Sequence, residues 1–116
     1  MDVSLEGLTL HVDDVERSAD YYLRFPGATL LYRRPGAHAF ALIKIGRSRL
    51  GLLGYNAPGF HLEVSTADLD DTYRKLQEVG ISPTDKPTLQ QWGDRTFHAV
   101  DPDGNRIEFD TRLGTL

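Results

Sequence analysis

Apolar and polar residues alternate through Gly7-Leu8-Thr9-Leu10-His11-Val12, which puts Leu8, Leu10 and Val12 on one side. Period-two alternation predicts a strand with one face against a hydrophobic layer. The pattern returns 52 residues later in Gly59-Phe60-His61-Leu62-Glu63-Val64, with Phe60, Leu62 and Val64 on the apolar side. A helical stripe follows each strand: Val15, Ser18, Ala19 and Tyr22 in the first copy, Leu69, Thr72, Tyr73 and Leu76 in the second. Both sets fall at i, i+3, i+4 and i+7, the spacing that gathers side chains on one face of an α-helix. The stripes are 54 residues apart, so the second copy carries two extra residues around Ser65-Thr66-Ala67. Asp13 or Asp14 is predicted to cap the first helix and Ser65 or Thr66 the second, by accepting hydrogen bonds from first-turn amides. Pro26-Gly27 and Gly80 stop the two helices.

Three strand-like runs come after each helix. In the first copy they are 28–34, 39–45 and 49–53, separated by turns at Pro35-Gly36 and Gly46-Arg47-Ser48. In the second they are 84–89, 95–100 and 106–110. Pro87 interrupts the first of these, which implies an edge strand or a bulge. Asp101-Pro102-Asp103-Gly104-Asn105 is a tight turn. The fold class read from this is α+β: two tandem βαβββ modules, about 5–54 and 59–112, joined by a linker at 55–58. Two such modules are expected to form a partly open eight-stranded barrel. Gly7, Thr9 and His11 from one copy, and Gly59, His61 and Glu63 from the other, then point inward. Polar and glycine residues there predict a cavity in place of a packed core.

Composition narrows the function classes. The chain has 116 residues, enough for one domain but too few for two independent cores. Its net charge of −4, from 13 basic and 17 acidic residues, argues against nucleic acid as a partner. The absence of cysteine excludes disulfides, thiolate nucleophiles and sulfur-ligated metals. No apolar run approaches the ~20 residues that span a bilayer, and the N-terminus lacks a basic stretch leading into an apolar one. A cytoplasmic location is expected, with no membrane partner. Neither a phosphate-cradling glycine loop nor a Gly-x-Ser-x-Gly elbow is found.

Two stretches carry a family resemblance. One is Trp92-Gly93-Asp94-Arg95-Thr96-Phe97 leading into Asp101-Pro102-Asp103-Gly104-Asn105-Arg106-Ile107-Glu108-Phe109, and the other is Leu10-His11-Val12-Asp13-Asp14-Val15-Glu16-Arg17-Ser18 running into Tyr21-Tyr22. Together they resemble the vicinal oxygen chelate superfamily, which includes glyoxalase I, bleomycin-resistance proteins, fosfomycin-resistance enzymes and extradiol dioxygenases. The resemblance implies a small-molecule cavity and a homodimer. Metal enzymes of that superfamily hold one divalent ion at four positions, one on the first and one on the last strand of each module. Carried over position by position, these are Gly7, Gly51, Gly59 and Glu108. Only Glu108 keeps a ligand type, and open catalytic centres use about three protein ligands. The usual metal centre is therefore expected to be absent, and the chain reads as closest in kind to the metal-independent binders.

The candidate ligand-binding residues are Thr9, His11, Tyr32, Phe40, His61, Glu63, Trp92, Arg95 and Glu108. Trp92 is the only tryptophan, and aromatic residues on cavity walls stack on planar ligands. Glu108 is a candidate general base if burial raises its pKa, or a partner of Arg95 or Arg106 if not. The alternative function is a divalent-metal-dependent lyase, isomerase or dioxygenase whose metal has shifted to His11, His61 or Glu63, and Glu108. His11 lies about 13 Å along its strand from Gly7, and His61 about 7 Å from Gly59, so the two histidines need not converge. The face of His98 is left open, because Phe97 and Val100 disagree about which side is apolar. His38 falls in a hairpin turn and is expected to be solvated.

Overall fold

A computed structural model of the chain describes residues 2–56 and 59–111. Ala57 and Pro58 of the expected linker, and Arg112 at the expected end of the second module, lie outside them. The chain divides into two compact units, one of residues 7–60 and one of residues from His61 onward together with those up to Glu6.

The first unit contains most of β1 (Ser4–Val12), then α1 (Val15–Leu23), β2 (Thr29–Arg34), β3 (Phe40–Ile45) and β4 (Ser48–Gly54). A short 3-10 turn, Gly36–His38, lies between β2 and β3, and the His38 carbonyl accepts a hydrogen bond of 2.7 Å from Arg34 Nε. The strands run in the order β2-β3-β4-β1, with β1 parallel to β4 and the other pairs antiparallel. Val15 and Ala19 of α1 pack against Ala41, Ile43 and Leu52, with Leu10, Val12 and Tyr22 around them. The predicted stripe is thus the face that meets the sheet.

The second unit holds β5 (Phe60–Ser65), α2 (Leu69–Glu78), β6 (Thr88–Leu89), β7 (Arg95–Val100) and β8 (Arg106–Asp110). Its order is β5-β8-β7-β6, with β5 parallel to β8. Leu69, Phe97, Ala99 and Phe109 form its core, with Val64, Tyr73, Leu76 and Ile107 against them. On β7 and β8 the alternate residues Phe97, Ala99, Ile107 and Phe109 join this core, as does Val64 on β5. The residues between them therefore share the opposite face: His61, Glu63, Ser65, Thr96, His98, Glu108 and Asp110.

Two sequence expectations change here. Asp14 caps α1 as expected, its Oδ1 accepting from Arg17 N at 3.1 Å. The cap of α2 is Asp68, accepting from Asp71 N at 3.0 Å, and neither Ser65 nor Thr66. Ser65 still belongs to β5, while the Thr66 hydroxyl lies 2.5 Å from that of Thr72 and accepts from Asp68 N, which shapes the approach to the helix. The expected strand 84–89 shrinks to Thr88–Leu89, because Pro87 brings no amide to a ladder. Residues ahead of it are tied to β7 differently: Thr84 N donates to the His98 carbonyl at 2.8 Å, and Asp85 Oδ1 accepts from His98 N at 2.6 Å. No helix among the described residues is long and apolar enough to cross a membrane.

Candidate metal centre

The helix caps align the two halves of the chain. Asp14 and Asp68 are equivalent, and seven residues before each stand Gly7 and His61. Strand pairing gives the same correspondence. Two residues on from these, Thr9 faces Gly51 on β4 and Glu63 faces Glu108 on β8. Three positions therefore match across the copies: Gly7 with His61, Thr9 with Glu63, and Gly51 with Glu108. This corrects the assignment of Gly59 as the second-copy ligand position. Gly59 and His61 lie on one face of a strand, so alternation alone leaves a slip of two residues undetected.

In the second copy these positions come together. One ligand atom from each of His61, Glu63 and Glu108 lies within 4.8 Å of the other two. His61 Nε2 is 2.5 Å from Glu63 Oε1 and 3.6 Å from Glu108 Oε2. His61 and Glu63 are buried, at 7% and 3% exposure. His98 stands beside Glu108 on β7, with Nε2 3.1 Å from Glu108 Oε1 and Nδ1 2.9 Å from Asp85 Oδ2. Ionised carboxylate oxygens only accept hydrogen bonds, so both ring nitrogens of His98 face acceptors.

The charges tune one another. Burial alone would lower the His61 pKa, but hydrogen bonds and charge from Glu108 and Glu63 outweigh it and raise the value from 6.5 to about 9. Burial alone would raise the Glu108 pKa, yet His61 and His98 hold its carboxyl well below the usual carboxylate range. The expectation of a burial-raised general base is thus reversed, and a carboxylate so stabilised is a weak base. The hydrogen bond to Glu108 raises His98, burial opposes it, and Asp85 adds to it. A group raised on folding stabilises below its unfolded value; one depressed stabilises above its own. In the metal-free protein this cluster therefore contributes fully between about pH 4.5 and 6.5. The contribution fades as pH rises through about 9 and as it falls below 4.5. Thermal unfolding in chelator should show the gap between wild type and His61→Gln narrowing on the alkaline side. A gap that widens there would contradict the assignment.

The first copy is built against ligands. A side chain at Gly7 would overlap the Arg49 carbonyl oxygen, and the glycine has φ +153°, a conformation L-residues rarely adopt. A Cβ at Gly51 would overlap the Thr9 hydroxyl and press on the Phe40 ring. Gly51→Ala is expected to cost about 1–3 kcal/mol through overpacking, measurable by urea unfolding. An unchanged midpoint would show that the site has room.

Thr9 is fully buried beside Gly51. The His11 ring lies 5.0 Å from that of Tyr55, in the first unit. Tyr32 and Phe40 are neighbours with ring centroids 6.2 Å apart, and Arg34 lies over Phe40. Trp92 sits half-buried in the turn before β7. Arg95 makes two hydrogen bonds of 3.1 and 3.0 Å with Asp70 at the start of α2, so it is not the partner of Glu108. His98 and Asp85 were not among the candidates. Alternation through buried Phe97 and Ala99 points to His98, whereas Val100 misleads because it is 48% exposed at the strand end.

The fold is a mixed α/β arrangement of eight strands and two helices, with ligand-type residues gathered on β5 and β8. Residues 4–109 match the Glyoxalase/Bleomycin resistance protein/Dioxygenase superfamily, and the chain belongs to it. No curated protein matches the sequence. Among solved structures, a hypothetical protein from Bacillus halodurans C-125 is similar, with TM-score 0.76 and 15% identity, over 97% of this chain and 96% of that one. Methylmalonyl-CoA epimerase from Streptomyces coelicolor, an S115T variant in complex with 2-nitronate-propionyl-CoA, has TM-score 0.71 and 20% identity, over 93% of each chain. Methylmalonyl-CoA epimerase from Mycobacterium tuberculosis has TM-score 0.71 and 17% identity, over 97% of this chain and 91% of that one. At these identities the likeness shows the fold alone.

Proposed function

We propose that this protein is a divalent-metal-dependent enzyme of the lyase, isomerase or dioxygenase kind, acting on a small organic molecule, with its ion held by His61, Glu63 and Glu108. The observation that carries the reading is the meeting of one imidazole and two carboxylates within 4.8 Å on a buried strand face. Three protein ligands suffice for an open catalytic centre, and this nitrogen–oxygen set suits manganese, iron, nickel or zinc. The four-position centre of the family does not fit, because Gly7 and Gly51 leave no space for side chains. The three-residue set in the second copy fits in its place. When bound, the ion would polarise an oxygen of the substrate. Glu108 remains an ionised ligand, while Ser65 and Asp110 on the same face offer polar contacts to the organic molecule. A homodimer, which the family resemblance implies, and a cytoplasmic location belong to the same proposal.

One observation favours a second reading, a metal-free binder resembling the bleomycin-resistance proteins. His61 is hydrogen-bonded to Glu63 and raised to about 9, so its proton can fill the role of the ion. The test is to screen small oxygenated compounds and planar antibiotics against chelator-stripped and metal-reloaded protein, following Trp92 fluorescence. Binding or turnover that needs the reloaded ion supports the enzyme. Equal binding in both forms supports the metal-free binder and removes the metal reading.

A further inference from the structure

The metal reading leaves His98 and Asp85 without a role, yet both are fixed with unusual economy. Both oxygens of Asp85 are spent on one residue: Oδ2 on the His98 ring at 2.9 Å and Oδ1 on the His98 amide at 2.6 Å. Thr84 N closes the same clasp on the His98 carbonyl at 2.8 Å. A segment with no ladder of its own is thus strapped to β7 at the one residue whose ring reaches Glu108. His98 and Glu108 are register partners on β7 and β8, so the ring lies beside the carboxylate by strand pairing. Its Nε2 meets Oε1 at 3.1 Å, while Oε2 is the oxygen near His61, at 3.6 Å. The two oxygens of Glu108 are therefore divided between two neighbours.

We infer that His98 and Asp85 form a positioning pair that holds Glu108 by Oε1 and so presents Oε2 to an ion shared with His61 and Glu63. This rests on the metal reading above. A carboxylate ligand turns about its terminal bond unless its outer oxygen is tied, and the second ring nitrogen must be tied in turn to keep the imidazole from turning. The Asp85–His98–Glu108 chain supplies both restraints. Outer partners of this kind are worth about 10–100-fold in metal affinity. His98 is a positioning residue here, acting on the ion through Glu108.

The experiment is calorimetric titration of manganese or cobalt alone into the whole chain, as wild type, His98→Ala, His98→Gln, Asp85→Ala and the His98→Ala/Asp85→Ala double variant. Circular dichroism checks that each is folded. His98→Ala and Asp85→Ala should each weaken binding by about 10–100-fold. The double variant should bind no more weakly than His98→Ala, because Asp85 acts only through that ring. His98→Gln, which keeps a donor toward Glu108, should recover most of the affinity. A general loosening would give additive losses and no rescue by glutamine. Asp85 lies on an exposed segment, so its variant keeps the test open if His98→Ala does not fold. Wild type that binds one ion with His98→Ala and Asp85→Ala unchanged, or with additive losses, overturns the inference alone. Wild type that takes up no ion overturns the metal reading, and the inference with it.

Discussion

Glu108→Gln and His61→Ala are each expected to weaken binding of manganese, iron, nickel or zinc by more than about 100-fold, a larger loss than an outer partner causes. Each substitution leaves two protein ligands, below the number that open centres use. Glutamine keeps the volume of Glu108 and one acceptor oxygen but loses the charge that a divalent ion needs at short range. Alanine at position 61 removes the only nitrogen ligand of the cluster. Metal-free stability will also fall, because Glu108 is hydrogen-bonded to His98 and close to His61. Affinity must therefore be measured on protein shown to be folded, by calorimetry or by competition with a coloured chelator. Substitution of His11 is the internal control. Its ring packs against Tyr55 in the first unit, and His11→Ala should leave affinity within a few-fold. Equal affinity in wild type, Glu108→Gln and His61→Ala would place any ion elsewhere.

Phe97→Ala is expected to destabilise the protein by about 3–5 kcal/mol, the range for truncating a fully buried phenylalanine. Phe97 is 0% exposed and sits where β7 and β8 meet α2. Its ring stacks on Phe109, with centroids 4.6 Å apart and planes 5° from parallel, and meets Tyr73 edge-on at 5.3 Å. Truncation removes both aromatic contacts and leaves a void between β7, β8 and α2. Interior packing cannot close such a void without moving the backbone. The loss should appear in urea unfolding as a lower midpoint with an unchanged slope. Val79→Ala, at a position 73% exposed, should stay within about 0.5 kcal/mol of wild type. A Phe97→Ala protein as stable as Val79→Ala would mean that the second core is not packed as described.

The sequence made most elements legible because each hydrophobic period was unbroken. Val15, Ala19 and Tyr22 marked the buried face of α1, and Phe97 and Phe109 lie on strands read within a residue of their observed bounds. The site was legible by face but not by register. Alternation put His61 and Glu63 inward and the family motif singled out Glu108, yet a slip of two residues preserves every face and moved the ligand position to Gly59. The helix cap resolves the slip, but the sequence hides that cap because Ser65 and Thr66 look like caps as good as Asp68. His98 stayed undecided because the strand ends at an exposed valine, where solvent permits any residue. Asp85 gave no signal at all. Its role comes from a segment lying along β7, a contact between loop and strand that no local pattern encodes.

Metal stoichiometry decides whether His61, Glu63 and Glu108 hold an ion. Untagged protein is purified without chelators, exposed to manganese, iron, nickel and zinc together, and analysed by elemental mass spectrometry. Folded wild type should retain about one ion per chain, lost in the Glu108→Gln and His61→Ala proteins but kept in His11→Ala, as three gathered ligands require. Retention of no ion by folded wild type, or retention that survives both substitutions, would contradict this site assignment.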